Sequence, residues 1–255
     1  MKYLFLIFLC CFSTRLWSQS NNSPKAIHIF VALCDNKYQG IAPVPESIGN
    51  GQQASTNLYW GAGYGLKTFF NRSKDWQLLK TYSQVDSLIL ERLIFKHKSS
   101  NTYLLADAYD GRYIQQTLTD FVEAAAGRNG FELTVNKNML CFGGDANLIG
   151  YVGHNGLMEV EITGAFEALP DNRTDAIVLA CYGKQYFDQL FVQTNARPLL
   201  WTTHLMAPEA YTLEAALSAW IKESTPDQVA EAAAQAYNKY QKCGIGAARK
   251  LLVTG

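Results

Sequence analysis

Two apolar runs in this chain end in residues that can do chemistry. Leu148–Val152 stops at Gly153-His154-Asn155-Gly156, and Ala176–Ala180 stops at Cys181, 27 positions beyond the histidine. A thiol becomes an effective nucleophile when a nearby imidazole takes its proton, and backbone N–H groups at a glycine bend can hold the oxyanion that follows. This makes His154 the candidate base and Cys181 the candidate nucleophile, with the bend at Gly153 and Gly156 supplying donors. Each also has a plainer reading. Cysteine is among the most buried residue types, and a glycine-flanked histidine suits an ordinary turn. Their shared position at the ends of two successive apolar runs favours the functional one.

Those two tips need elements to hold them. Ala26–Cys34 reads as a buried strand ending at Asp35-Asn36, and the Gly- and Pro-rich stretch after it as a loop. From Thr56 onward Leu58, Ala62, Leu66 and Phe69 fall at helical spacing. The embedded "GAGYG" lacks the P-loop Lys-Ser/Thr and the dinucleotide-binding spacing, so its glycines are assigned to close helix packing. "DSLILERLIFKH" and "TYLLADAY" predict strands, and "FELTVNKNMLCF" a hairpin. "DGRYIQQTLTDFVEAAAG" predicts a strong helix, with Ile114, Leu118, Phe121, Val122 and Ala125 on one face. After Cys181 come a helix in "YFDQLFVQTNA", a strand in "RPLLWTTH" and two helices, the second capped by Thr225 with Pro226 at its first position. This alternation predicts an α/β fold, a three-layer α/β/α sandwich with a mostly parallel central sheet. In such sheets sites form beyond the carboxyl ends of the strands, where His154 and Cys181 fall. Neighbouring strand ends are roughly 5 Å apart, close enough for their side chains to meet.

Composition narrows the function classes. Met1-Lys2, the apolar run Tyr3–Phe12 and the polar residues after it predict a signal peptide over residues 1–20, hence a chain exported to the periplasm or secreted. Residues 21–255 then form a single domain. The full chain balances 22 basic against 22 acidic residues, and losing Lys2 and Arg15 leaves the mature part at a net charge of −2. Without a basic block, no nucleic-acid partner is expected. No later apolar run is long enough for a span, so no membrane association is expected of the mature form. Cys34, Cys141, Cys181 and Cys243 form no CxxC pair and no metal-finger spacing, and neither a metal nor a cofactor is expected.

"IGYVGHNG" followed by "AIVLACYG" resembles the caspase-like cysteine peptidases, the group of caspases, legumains, gingipains and clostripain. Members carry an apolar strand ending in His-Gly, then one ending in Ala-Cys. The order of elements over residues 26–222 is similar as well, though only the two short motifs are specific. The resemblance implies that His154 is the general base, Cys181 the nucleophile, and the N–H groups of Gly156 and Cys181 the oxyanion hole; here Asn155 separates His154 from Gly156. It further implies a substrate pocket built from the end of the first strand, at Asp35, and from the strand after the cysteine, at Thr202, Thr203 and His204. An acidic floor at Asp35 would favour Arg or Lys before the cut, whereas its plainer reading is a strand-end turn residue. The expected partner is a peptide or protein substrate. Two alternatives stand beside the peptidase: a catalytically silent caspase-like domain that binds a peptide or partner protein, and a cysteine amide hydrolase or acyltransferase acting on non-protein amides. His28 and His97 have no partner that the sequence names, and both read as structural or exposed.

Overall fold

The structure, a computed structural model, describes residues 23–164 and 166–255; the expected signal peptide lies outside the described residues. Strand β1 (Lys25–Ala32) is buried from Ala26 onward. It lies between β4 (Thr102–Tyr109) and β7 (Leu148–Val152), parallel to both. Beyond β7 follow β8 (Asp175–Leu179) and β9 (Arg197–Thr202), again parallel. Antiparallel strands extend both sides: β3 (Ile89–His97) on β4, β2 (Trp76–Ser83) on β3, and β10 (Leu252–Val253) on β9. The eight-stranded order is β10-β9-β8-β7-β1-β4-β3-β2.

Helices cover both faces, so the chain is a three-layer α/β sandwich. Side chains alternate across the pleat: Ile27, Ile29 and Val31 meet helices α1 (Leu66–Arg72), α4 (Ala210–Ile221), α5 (Pro226–Gln241) and α6 (Ile245–Leu251). Phe30, Ala32, Ile149 and Tyr151 meet α2 (Ile114–Ala125) and α3 (Gly183–Thr194). The hairpin β5 (Phe131–Val135) and β6 (Asn138–Phe142) covers the remainder of that face. Helix α2 buries the stripe its spacing predicts, and a ring such as Phe121 contributes about 2–3 kcal/mol by leaving water. Helix α5 starts with Thr225 and Gln228 in a reciprocal capping box and Pro226 at its first position.

Two local readings change. The stretch from Thr56 is a series of turns, and helix begins only at Leu66. Asn57 is the reason: its buried side chain accepts from the Cys34 N–H (3.0 Å) and donates to the Cys34 carbonyl (2.8 Å), pinning the turns to the end of β1. Gly61 and Gly65 pack these turns against their own backbone, rather than helix against helix. Strands β2 and β10 and helix α6 carry no strong periodic signal: β2 is largely exposed and β10 spans two residues.

Candidate active site

The five parallel strands place their carboxyl ends along one rim of the sheet. Val152 is in register with Leu179, so His154 and Cys181 each stand two residues past a paired position on neighbouring strands. The Gly153 N–H still bonds to the Leu179 carbonyl (3.2 Å), after which the chain turns away. Gly153 has φ +148°, and a Cβ there would come 2.8 Å from the Ala32 carbonyl oxygen, so this turn requires glycine. Tyr182 makes the corresponding bend on the other strand with φ 52° and ψ 33°, a left-handed conformation between Cys181 and α3. Such a residue stores about 1–2 kcal/mol of strain at a sharp strand-to-helix turn.

Asn155 ties the two tips together. Its side chain has no exposed surface; Nδ2 donates to the Cys181 carbonyl (2.7 Å) and Oδ1 caps the short turn Gly156–Met158 by accepting from the Leu157 N–H (3.2 Å). Asn155, between His154 and Gly156, is thus a clamp. Thr202 braces the turn from the far side: its buried hydroxyl donates to the Ala180 carbonyl and accepts from the Gly183 N–H (3.0 Å).

The imidazole has a carboxylate partner that the sequence did not single out. His154 Nε2 lies 2.7 Å from Glu159 Oε1, while Glu159 Oε2 accepts from the Gly40 N–H (2.8 Å). A carboxylate on one ring nitrogen fixes the tautomer and leaves the other nitrogen, Nδ1, to take a proton. Tyr151 donates to the His154 carbonyl (2.6 Å), and burial raises its hydroxyl far above the tyrosine range, so it stays a donor.

The thiol is held by the loop after β9. Met206 N–H donates to Cys181 Sγ (3.4 Å), and the thiol faces the Met206 carbonyl at 3.7 Å. That loop is pinned by Ala207 N–H on the Tyr237 hydroxyl (3.2 Å). The sulfur therefore sits between a backbone donor and a backbone acceptor of one residue, two positions before the start of α3. Among the described residues no hydrogen bond joins the thiol to the imidazole. The Gly156 N–H is spent on the His154 carbonyl (3.1 Å), whereas the Cys181 N–H has no acceptor among the described residues.

The expected substrate residues fare differently. Asp35 is 2% exposed, and its carboxylate accepts from the N–H groups of Lys37 (2.8 Å) and Tyr38 (3.1 Å) and from Gln52 Nε2 (2.6 Å). That is the strand-end turn residue, with its acceptors already used. Thr203 is half-buried, pinned to the Lys250 carbonyl through its hydroxyl (2.7 Å) and bonded to His204 Nδ1 (2.8 Å). His204 is exposed and opens on a cleft of about 340 Å³ with Leu205, Tyr237, Ala247, Lys250 and Leu251. The lining holds no carboxylate.

All four described cysteines are free. Burial pushes the Cys34 thiol up to about 11, and Cys141 is raised by the same cause. Cys243 is exposed. Among the described residues no group of three or more His, Cys, Asp and Glu could hold a metal ion, and no described helix is long and apolar enough to cross a membrane. No protein-family model, curated protein or solved structure matches the chain.

Proposed function

We propose that the protein is an exported cysteine peptidase of caspase-like type, with Cys181 as nucleophile and His154 as base. The observation that carries this reading is the pair of in-register strand tips on β7 and β8, clamped through Asn155 onto the Cys181 carbonyl. In the proposed reaction His154 Nδ1 takes the thiol proton and the sulfur adds to the scissile carbonyl. The Cys181 N–H receives the oxyanion, joined by the Gly156 N–H once its bond to the His154 carbonyl opens. The tetrahedral adduct collapses, breaking the C–N bond as His154 returns the proton to the leaving amine. Water, activated by the same imidazole, then releases the acid from the acyl-enzyme. Glu159 acts as a positioning residue that holds the ring and balances its charge. The carboxylate-free, mostly apolar cleft beside His204 supports an apolar side chain before the cut. The basic preference drawn from Asp35 is not carried forward.

A second reading has its own support: the thiol and imidazole are bonded to Met206 and Glu159 rather than to each other, and with the occupied Gly156 N–H this suits a silent domain that binds a peptide or partner protein. Iodoacetamide labelling separates the two. Cys243 is exposed and labels in either case, so the experiment uses Cys243→Ser. Under the peptidase reading Cys181 labels first and His154→Ala slows it, while Cys181→Ala abolishes cleavage of peptide amides. Equal labelling rates with and without His154 mean there is no dyad. Cleavage of non-peptide amides alone would move the site to the amide hydrolase or acyltransferase class.

A further inference from the structure

A second polar site lies on the opposite face from α4 and α5, in the seam between α2 and the β5–β6 hairpin. Three strands place His28, Arg92 and Asp107 side by side on the sheet. Asp107 is fully buried; it accepts from Arg92 Nε (2.6 Å), Arg92 Nη2 (2.7 Å) and His28 Nε2 (3.1 Å). His28 Nδ1 accepts from the Gly143 N–H (3.1 Å) where the hairpin ends, so the ring is neutral with its proton on Nε2. Burial lowers the pKa of His28, consistent with that state. Every acceptor of Asp107 and both nitrogens of His28 are satisfied, and Arg92 cancels the charge of Asp107.

Above this floor is a cavity of about 200 Å³ walled by Phe30, Tyr109, Phe131 and Ile89. Its remaining charge is Asp120, whose oxygens, among the described residues, accept only from neutral donors, Tyr109 Oη (2.9 Å) and Gln116 Nε2 (2.7 Å). Burial raises the Asp120 carboxyl above the ordinary carboxylate range, and repulsion from Asp86 adds to this. The basic side chains that line the space are the neutral His28 and Arg92, and that guanidinium is committed to Asp107 and covered on one side by Phe131 at 5.0 Å. A carboxylate without a counter-charge, beside aromatic faces, suits an ammonium group carried on a small apolar body.

We infer that this cavity is a binding site for a small organic amine, with its ammonium group at Asp120 and Tyr109 and its carbon body against Phe30, Phe131 and Ile89. The site is separate from the Cys181 rim and does not depend on the function proposed there.

Calorimetry on the full chain with butylamine and benzylamine, against butanol, benzyl alcohol and butyrate, tests it. The amines bind at least about tenfold more tightly than the matched alcohols, the value of one charge-assisted contact. Asp120→Asn keeps the shape of the side chain and removes that preference. Ala124→Leu places extra bulk in the cavity and weakens amine and alcohol alike, with circular dichroism confirming that each variant is folded. Equal binding of amine and alcohol, preference for butyrate, or no binding by any probe would each overturn the assignment.

Discussion

Replacing Asn155 by alanine tests whether the two strand tips form one unit. The side chain has no exposed surface and makes two hydrogen bonds, at 2.7 Å to the Cys181 carbonyl and 3.2 Å from the Leu157 N–H. A hydrogen bond is worth about 1 kcal/mol net, and a partner left buried and unpaired costs about 1–3 kcal/mol. One bond here is a turn cap and the other leaves a carbonyl short of a donor, so the loss is about 2–4 kcal/mol. At about 2–4 °C per kcal/mol for a domain of this size, the melting temperature falls by about 4–16 °C. Asn155→Asp sharpens the test, because it keeps the acceptor for Leu157 but sets a carboxylate oxygen against the Cys181 carbonyl. It should be no more stable than the alanine variant near neutral pH. Urea unfolding followed by tryptophan fluorescence gives the stability. Iodoacetamide labelling of Cys181, in a Cys243→Ser background, gives the effect on the site, with a slowing of about tenfold or more expected from the loosened geometry. An alanine variant within about 0.5 kcal/mol of the parent and labelling at the parent rate would refute the clamp.

Further outcomes follow from other contacts. Glu159→Gln removes the charge that faces the imidazole and should lower peptide-amide turnover by about 10²-fold, with melting temperature little changed; equal turnover would remove Glu159 from the proposed mechanism. Burial lowers the pKa of both His28 and His97 below 6.5. The unfolded chain therefore takes up these protons first, and stability present above pH 6.5 is lost as pH falls, by up to about 1.4 kcal/mol per pH unit for each histidine. For Asp107, burial alone would raise the carboxyl, but the bonds from Arg92 and His28 bring it below 3.8, so its contribution is lost only at lower pH. Urea midpoints at pH 7.5 and 5.5 read this slope, and identical midpoints would contradict it. Gly153→Ala forces a side chain into a glycine-only conformation near the Ala32 carbonyl, and should cost about 1–3 kcal/mol by the same denaturation assay.

The strands that carry the candidate site were legible because Leu148–Val152 and residues 176–179 are buried on both faces, and burial on both faces writes itself as an apolar run. Helix α2 was legible because one face is apolar and the other wet. Elements organised by single side-chain bonds were not. Asn57 overrides the helical spacing around it by bonding to Cys34, 23 residues away in the chain, and no periodicity reports such a bond. Glu159 sits in a loop and gains its meaning only when the chain folds back onto His154 and Gly40. His28 looked partnerless because Asp107 lies 79 residues on and reaches it only across a strand pair. Asp35 showed the reverse: its position suggested a pocket, while its bonds belong to the adjacent turn.

The central place of β1 also governs how the chain must assemble. Its neighbour on one side, β4, follows within the same half of the sequence, but on the other side Ala26 N–H bonds to Asn147, 121 residues away. At about 5–20 residues per second of synthesis, roughly 6–24 s separate the two partners. Throughout that interval one long edge of this buried strand has no mate, and contacts of such wide sequence separation form late and slowly. A chain of this topology therefore exposes that strand edge until its second half has been made, a window in which the edge can pair wrongly with other chains.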